Sequence, residues 1–246
     1  MLQITLDHIQ KRYGETAVFS DFSYTFEAGK SYALMAPSGF GKTTLLRLIL
    51  GLETPDAGSV SFFRCQDTEQ QNDKCKNDER QNSKCQDEAP AHHTEVADAA
   101  CTVNPLSASE RRRLRFAAVF QEDRLCDGAS AIENIRLVAR CSAKEAENAL
   151  LPLLPDANLL TPVRHLSGGQ RRRIALVRAL CFPNAEALLL DEPFSGLDAA
   201  SKLAAAKAIL AAQKSRTLLL STHDREDAAL LNAAIVQLNQ LSSDVK

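Results

Sequence analysis

Ala36-Pro37-Ser38-Gly39-Phe40-Gly41-Lys42-Thr43-Thr44 follows the apolar run Tyr32-Ala33-Leu34-Met35 and opens the helical pattern Leu45-Leu46-Arg47-Leu48-Ile49-Leu50, which stops at Gly51. A strand, a tight loop and a helix in that order form a phosphate cradle. Consecutive backbone N–H groups converge on an anion, and the helix N-terminus adds partial positive charge. At this spacing Lys42 reaches the β- and γ-phosphates of a nucleotide and the Thr43 hydroxyl ligates Mg²⁺. The bland alternative is a chance Gly-Lys-Thr in a surface loop, and the strand before it and helix after it argue against that. The usual pattern begins with glycine where this chain has Ala36, which is tolerated if the backbone there keeps a negative φ.

The chain of 246 residues fits one large α/β domain, or one domain plus an appendage. A net charge of −2 with 24 % charged residues provides no global basic field for nucleic acid. No apolar run approaches the roughly 20 residues that span a bilayer. Met1 to Leu6 alternates like a strand and lacks the layout of a secretion signal. Of seven cysteines, Cys65, Cys75, Cys85 and Cys101 lie in one polar segment and the rest are scattered. Free thiols in a reducing cytosol are expected.

Ile4 to Ile9 reads as a strand, Lys11-Arg12-Tyr13-Gly14 as a turn, and Phe22, Tyr24 and Phe26 as a second alternating strand. Tyr13 is either a core or turn residue or a ring on which adenine stacks. Ser59 to Phe63 is a short strand. From residue 65 the composition changes to ten-residue units, CQDTEQQNDK, CKNDERQNSK and CQDEAPAHHT. With almost no large apolar side chains, the segment at about 64–105 reads as a flexible, repeat-expanded insertion. A metal site from Cys65, Cys75, Cys85, His92, His93 and Cys101 is the sharper alternative, but nine intervening residues is not the close pair spacing of zinc sites.

Leu106 to Glu110 reads as a helix start, with Arg111 to Arg113 on a solvated helical face. Phe116 to Phe120 is a buried strand ending at Gln121, and residues of about 122–166 form a small helical unit. Leu166-Ser167-Gly168-Gly169-Gln170 precedes a helix from Arg171 to Leu180. Its glycines offer a second anion-binding surface, against the alternative of an ordinary N-cap. Ala187 to Leu190 is a buried strand whose end carries Asp191 and Glu192, the position at which open α/β sheets bind ligands. Pro193 to Asp198 leads into an alanine-rich helix, Ala199 to Ala212. A strand from Thr217 to Leu220 ends at Ser221-Thr222-His223-Asp224, Asp224 begins a last major helix, and Ala234 to Leu238 is an edge strand.

In this order, LSGGQ, LLLDEPFSGLD and STHD after the phosphate loop resemble the nucleotide-binding subunit of an ATP-binding cassette (ABC) transporter, over nearly the whole chain except the insertion. The resemblance implies an α/β P-loop NTPase core with an antiparallel β subdomain and a small α-helical subdomain. It also implies ATP and Mg²⁺ as cofactors and ATP hydrolysis as the activity. Tyr13 matches the adenine-stacking aromatic. Pro37, Ser38, Gly39, Phe40, Gly41, Lys42, Thr43 and Thr44 match the phosphate wrap. Gln121 matches the glutamine that reaches Mg²⁺ and the attacking water, Asp191 the residue that holds Mg²⁺, and Glu192 the one that polarises the water. His223 matches the histidine on the γ-phosphate. Ser167, Gly168, Gly169 and Gln170 match the signature that touches ATP on the opposite subunit, with Asp198 at the dimer seam.

The implied working unit is a homodimer or cassette heterodimer sandwiching two ATPs, at the cytoplasmic side of the membrane, with separate permease subunits and an extracytoplasmic substrate-binding protein. A soluble cassette ATPase acting on ribosomes or DNA is the rival. Only Glu122 to His165 separate the glutamine from the signature, without sustained heptads, and the chain has one cassette. A regulatory module without turnover conflicts with the intact Lys42, Asp191 and Glu192. Thr161-Pro162-Val163-Arg164-His165 departs from the stretch common in exporters, and FQEDRL at Phe120–Leu125 resembles importers of the nitrate, sulfonate and taurine group.

Overall fold

The computed structural model describes residues 1–66 and 102–238. The chain begins with β1 (Leu2–Tyr13) and β2 (Thr16–Phe26), passes through β3 (Ser31–Met35) into α1 (Lys42–Ile49), and returns in β4 (Ala57–Gln66). Further on come β5 (Thr102–Pro105), the short α2 (Ala108–Arg111) and β6 (Phe116–Val119). Helices α3 (Ala131–Ala139) and α4 (Ala143–Leu150) and a 3-10 turn at Val163–His165 lead to α5 (Gly168–Leu180). The chain closes with β7 (Ala187–Asp191), α6 (Ala199–Gln213), β8 (Thr217–Thr222), α7 (Arg225–Leu230) and β9 (Ala234–Gln237).

The strands sort into an antiparallel sheet, β2-β1-β4-β5, and a parallel sheet, β6-β7-β8-β3-β9. The unbroken leucine runs of β7 and β8 follow from burial on both faces. Leu188, Leu190, Leu218 and Leu220 join a core with Ile135, Ile174 and Ile209 of the helices. The alternate residues Ala187, Leu189 and Leu219 join a second core with Leu45 and Ile49 of α1 and with Ile4 and Phe26 of the antiparallel sheet. The phosphate-loop helix is therefore packed between the two sheets.

Several expected boundaries shift. The turn expected at Lys11 to Gly14 is narrower: β1 runs through Tyr13, which pairs with Thr16, and Gly14 supplies the positive φ that a two-residue hairpin turn needs. The segment expected as an insertion from 64 to 105 has strand at both ends, because β4 continues to Gln66 and β5 pairs with it from Gln66↔Thr102 to Phe63↔Pro105. Residues 67–101, with most of the repeat and its cysteines and histidines, lie outside the described residues. Helix α2 has only four residues, so Arg112 and Arg113 lie beyond it. The last major helix expected from Asp224 is the six-residue α7, after which Asn232 takes φ 48° and the chain turns into β9.

The helical unit expected at about 122–166 contains α3, α4 and the 3-10 turn, tied by the buried Asn134. Its Oδ1 accepts from the Cys126 N–H at 2.8 Å, and its Nδ2 donates to the Ser130 carbonyl at 3.0 Å. Ser130 with Glu133 and Ser142 with Glu145 form reciprocal caps that start both helices.

The antiparallel sheet has one position that admits only glycine. The β1–β4 register slips between Asp7 and Gln10, where His8 takes φ 48°. Gly58, at φ +84°, lies against this bulge, and a Cβ there would sit 2.3 Å from the His8 carbonyl oxygen. Backbone atoms cannot swing aside as a flexible side chain would. Gly58→Ala is expected to destabilise the fold by about 2 kcal/mol or more, read by urea unfolding. A change below about 0.5 kcal/mol would show that the bulge relaxes freely.

Candidate functional site

Parallel pairing puts the C-terminal ends of β3, β6, β7 and β8 on one edge of the sheet, where α/β proteins bind ligands. From β3 the chain enters the phosphate loop. Gly39 and Gly41 both take φ +84°, whereas Ala36 has no positive φ, so alanine in place of glycine carries no backbone strain there. A Cβ on Gly41 would lie 2.5 Å from Val18 Cγ1 and 2.8 Å from Phe19 Cζ, so the loop is pressed against β2. The partly buried Phe40 packs on the same core. Lys42 begins α1, and its Nζ, in a residue only 7 % exposed, donates to the Ala36 carbonyl at 2.7 Å and the Pro37 carbonyl at 3.2 Å.

The next residue ties this loop to the carboxylate strand. Thr43 Oγ1 donates to Asp191 Oδ2 at 2.7 Å, and the Ser221 hydroxyl donates to Asp191 Oδ1. The Glu192 N–H donates to Ser221 Oγ at 2.9 Å, so one serine serves both acidic residues. Glu192 itself takes φ 47°, a left-handed conformation that a non-glycine residue adopts at a cost and that recurs at functional sites. Thr43 and Asp191 present hard oxygen donors within hydrogen-bond reach of each other, a set suited to Mg²⁺.

A cleft of about 220 Å³ is lined by Gln121, Gly168, Gly169, Arg172, Glu192 and Gly196, among others, and by no residue of the phosphate loop. Ser167 is the N-cap of α5: its Oγ accepts from the Gln170 N–H at 3.3 Å, and Gln170 Oε1 accepts from the Ser167 N–H at 3.0 Å. The ordinary cap considered for this stretch is thus present, and Gln170 takes part in it. A second cleft of about 330 Å³ is lined by Glu192, Lys202, Thr222, His223, Asp224 and Asp227, among others. Lys202 pairs with Asp227 at 2.9 Å and Asp224 at 3.3 Å, and the buried Asp227 accepts from Thr222 Oγ1 at 2.7 Å. This network holds the segment that carries the exposed His223.

Tyr13 and Asp198 lie outside these clefts. Tyr13 is 48 % exposed at the end of β1, its hydroxyl donates to Glu53, and Lys11 Nζ lies 5.4 Å from its ring centroid. Partial burial, then the Glu53 carboxylate, hold its phenol above the usual range. Asp198 caps α6 by accepting from the Ser201 N–H at 2.8 Å, a bond that lowers its pKa. Among the described residues no cluster of three or more His, Cys, Asp or Glu is placed to hold a metal ion, and most members of the Cys/His set considered for zinc lie outside them.

Sequence reading assigned no role to Ser221, Glu53, Lys202 or Arg172. Arg172 is buried and donates to the carbonyls of Phe120, Gln121, Asp191 and Glu192. Burial lowers its pKa, with Asp123 and Asp191 opposing. Its spacing on α5 carried a signal, since Arg172 shares a face with Leu176 and Leu180.

A glycine-rich loop before a buried lysine, joined by threonine to an aspartate on a parallel sheet edge, defines a phosphate-loop nucleotide-binding α/β protein. The ABC transporter family model matches residues 19–195, and the chain belongs to that family. It is an ABC ATPase cassette and hydrolyses ATP. The aliphatic sulfonates import ATP-binding protein SsuB 1 of Rhodococcus jostii is 32 % identical over 244 residues, covering 97 % of this chain and 80 % of the relative. The Nod factor export ATP-binding protein I of Burkholderia lata is 31 % identical over 93 % of this chain, which spans 65 % of that relative. Among solved structures, the dimeric post-hydrolysis state of the cassette MJ0796 bound to ADP and Pi has the same fold, with a TM-score of 0.66 at 23 % identity over 95 % of this chain and 93 % of that one.

Removing the serine that serves both carboxylate residues tests the site. Ser221→Ala leaves Asp191 Oδ1 without its hydroxyl partner, while the Glu192 N–H keeps the Ser221 carbonyl at 3.2 Å, and is expected to cost about 1–3 kcal/mol in urea unfolding. ATP turnover should fall in the same variant. Unchanged stability and turnover together would remove Ser221 from the site.

Proposed function

We propose that this chain works as one half of a dimer of cassettes that clasps two ATP molecules and powers a membrane transporter with separate permease subunits, in the direction of import. The observation that carries this reading is the Thr43–Asp191 bond beside Glu192, with the glycine-led start of α5 on a cleft the phosphate loop does not line. Each copy then has one phosphate loop and one signature, and the signature serves the neighbour's nucleotide.

In this reading Tyr13 stacks on adenine, and Pro37, Ser38, Gly39, Phe40, Gly41, Lys42 and Thr44 enclose the phosphates. Thr43, Asp191 and Gln121 would hold Mg²⁺, which when bound would neutralise phosphate charge. Glu192 accepts a proton from water as its oxygen attacks the γ-phosphorus and the bond to the ADP oxygen breaks. His223 and the partner copy's glycine pair donate to the γ-phosphate, and Asp198 lies at the seam. Little covalent chemistry is needed, because the site acts through positioning and charge.

Import is supported by the sulfonate-import relative, of which this chain covers 80 %. It is also supported by a second relative, the Fe(3+) ions import protein FbpC 1 of Rhodococcus jostii, 30 % identical, of which the chain spans 56 %. Among the described residues no helix is long and apolar enough to cross a membrane, which agrees with a peripheral subunit on the cytoplasmic face held by permease partners. An extracytoplasmic substrate-binding protein completes an importer of this kind. Copurification with a polytopic membrane protein supports transport, whereas recovery with ribosomes or DNA overturns it. ATP-driven solute movement outward in reconstituted vesicles would replace import by export.

Glu192→Gln is expected to bind ATP normally but to turn it over roughly 10²–10⁴-fold more slowly, the range for losing a general base. It should also elute as a dimer with ATP. Normal turnover would remove Glu192 from its role. Lys42→Ala is expected to weaken nucleotide binding itself, and an unchanged ATP affinity by titration would contradict the phosphate contact.

A further inference from the structure

Strands β6 and β7 pair in parallel only as far as Val119↔Leu190. Immediately beyond that point stand Gln121 on one chain segment and Glu192 on the other, and the ladder no longer fixes their separation. The Arg172 guanidinium lies in the gap. Nη1 donates to the carbonyls of Phe120 and, at 3.3 Å, Gln121, while Nη2 donates to those of Asp191 and, at 3.0 Å, Glu192. Among the described residues it is the side chain that hydrogen-bonds to both segments. A planar guanidinium can serve acceptors on two sides with fixed geometry, and the compact ammonium of lysine cannot span them in the same way.

The neighbouring arginines do different work. Arg171 pairs with Asp127 at 2.9 Å, and Arg178 donates to the carbonyls of Arg124 at 2.7 Å and Asp123 at 3.0 Å, so both reach the segment after Gln121 and not the one at Glu192. Arg173 Nη1 reaches Ser201 of α6 at 3.0 Å. Arg172 sits one turn after Gly168, on the helix whose first residues line the cleft with Gln121 and Glu192. Any displacement of that helix start is transmitted through one rigid turn to the carbonyls of both residues.

We propose that Arg172 is a positioning residue for ATP hydrolysis: it sets the separation of Gln121 from Glu192 and couples it to the placement of the Gly168–Gly169 helix start. The inference rests on the reading that Gln121 and Glu192 carry the hydrolytic step. Arg172 touches neither nucleotide nor water in this scheme and acts through main-chain carbonyls, with the Asp123 carboxylate 3.7 Å from Nη1 beside them.

The test compares Arg172→Lys and Arg172→Gln with the full-length protein for kcat, KM, ATP affinity by titration and melting temperature. The expected result is a fall in kcat of about 10- to 100-fold, the scale of a displacement on the order of 1 Å in a reacting pair. ATP affinity should stay within about threefold, because the phosphate loop is untouched. A second readout separates positioning from general support: in a Glu192→Gln background, Arg172→Lys should lower the residual turnover far less than it does alone, since both changes act through one group. Full kcat in folded Arg172→Lys and Arg172→Gln overturns the inference, as does a loss of kcat matched by the loss of folded protein, or a full multiplicative loss in the double variant. Normal turnover of Glu192→Gln alone would instead overturn the underlying assignment of the base.

Discussion

A carboxylate that is only 2 % exposed must be paid for with hydrogen bonds, and Asp191 receives them from hydroxyls on two other elements, Thr43 of α1 and Ser221 of β8. Those bonds join three elements at the sheet edge. They fix the start of the phosphate-loop helix to the end of β7, and the end of β7 to the end of β8. Ser221 Oγ also accepts from the N–H of Glu192, the next residue, which stands in the left-handed conformation. All buried side-chain polar atoms among the described residues have partners, so this network is satisfied in full and stiffens the site.

The same device recurs on both sides of β7, with a long cationic side chain from a flanking helix holding a loop at a strand end. From α5, Arg172 and Arg178 reach the carbonyls around Gln121. From α6, Lys202 reaches Asp224, which caps the helix that follows His223, and Asp227 within that helix. Its pKa is raised, chiefly by the Asp227 bond, so the lysine's side of this contact is lost only as pH climbs past the ordinary lysine range. Loops that present polar groups to a ligand have little apolar surface to bury, and here cations anchored on packed helices hold them, through main-chain carbonyls from α5 and through carboxylates from α6.

The parallel core was legible because β7 and β8 are continuous apolar runs bounded by polar ends, and the phosphate loop because its glycines, lysine and threonine stand at a strand-to-helix junction. The carboxylate pair and His223 could be placed on one sheet edge because each follows the end of an apolar strand. Less visible were features that depend on distant pairing. The length of β1 through Tyr13 and the extension of β4 to Gln66 come from partners on other strands, and polar residues such as Gln10 and Arg12 carry no alternating signal of their own. Arg172 was hidden inside the run Arg171–Arg173, where a charge cluster reads as a solvated face; its register with Leu176 and Leu180 separates it from Arg171 but not from Arg173, which aligns with Val177 and Leu180. Ser221 looked like the end of an apolar strand, and its two bonds join groups far away in sequence.

The glycines of the two anion-binding stretches are required for different reasons, and the difference bears on assembly. Gly39 and Gly41 need their positive φ, and Gly41 also has no room for a Cβ beside Val18 and Phe19. The chain's own fold explains them. Gly168 has no positive φ and a Cβ there would meet nothing within 4 Å, while one on Gly169 would find only the Gly196 carbonyl oxygen at 3.9 Å. Glycine at the first turn of a helix costs stability relative to alanine, so the internal packing of one copy offers no reason for either. The cap already occupies the Gln170 N–H and the Ser167 N–H, which leaves the two glycine N–H groups as the unshielded donors of α5. What would exclude a side chain at that point is something approaching from outside the chain, and a terminal phosphate held on a second copy's loop has the charge those donors favour.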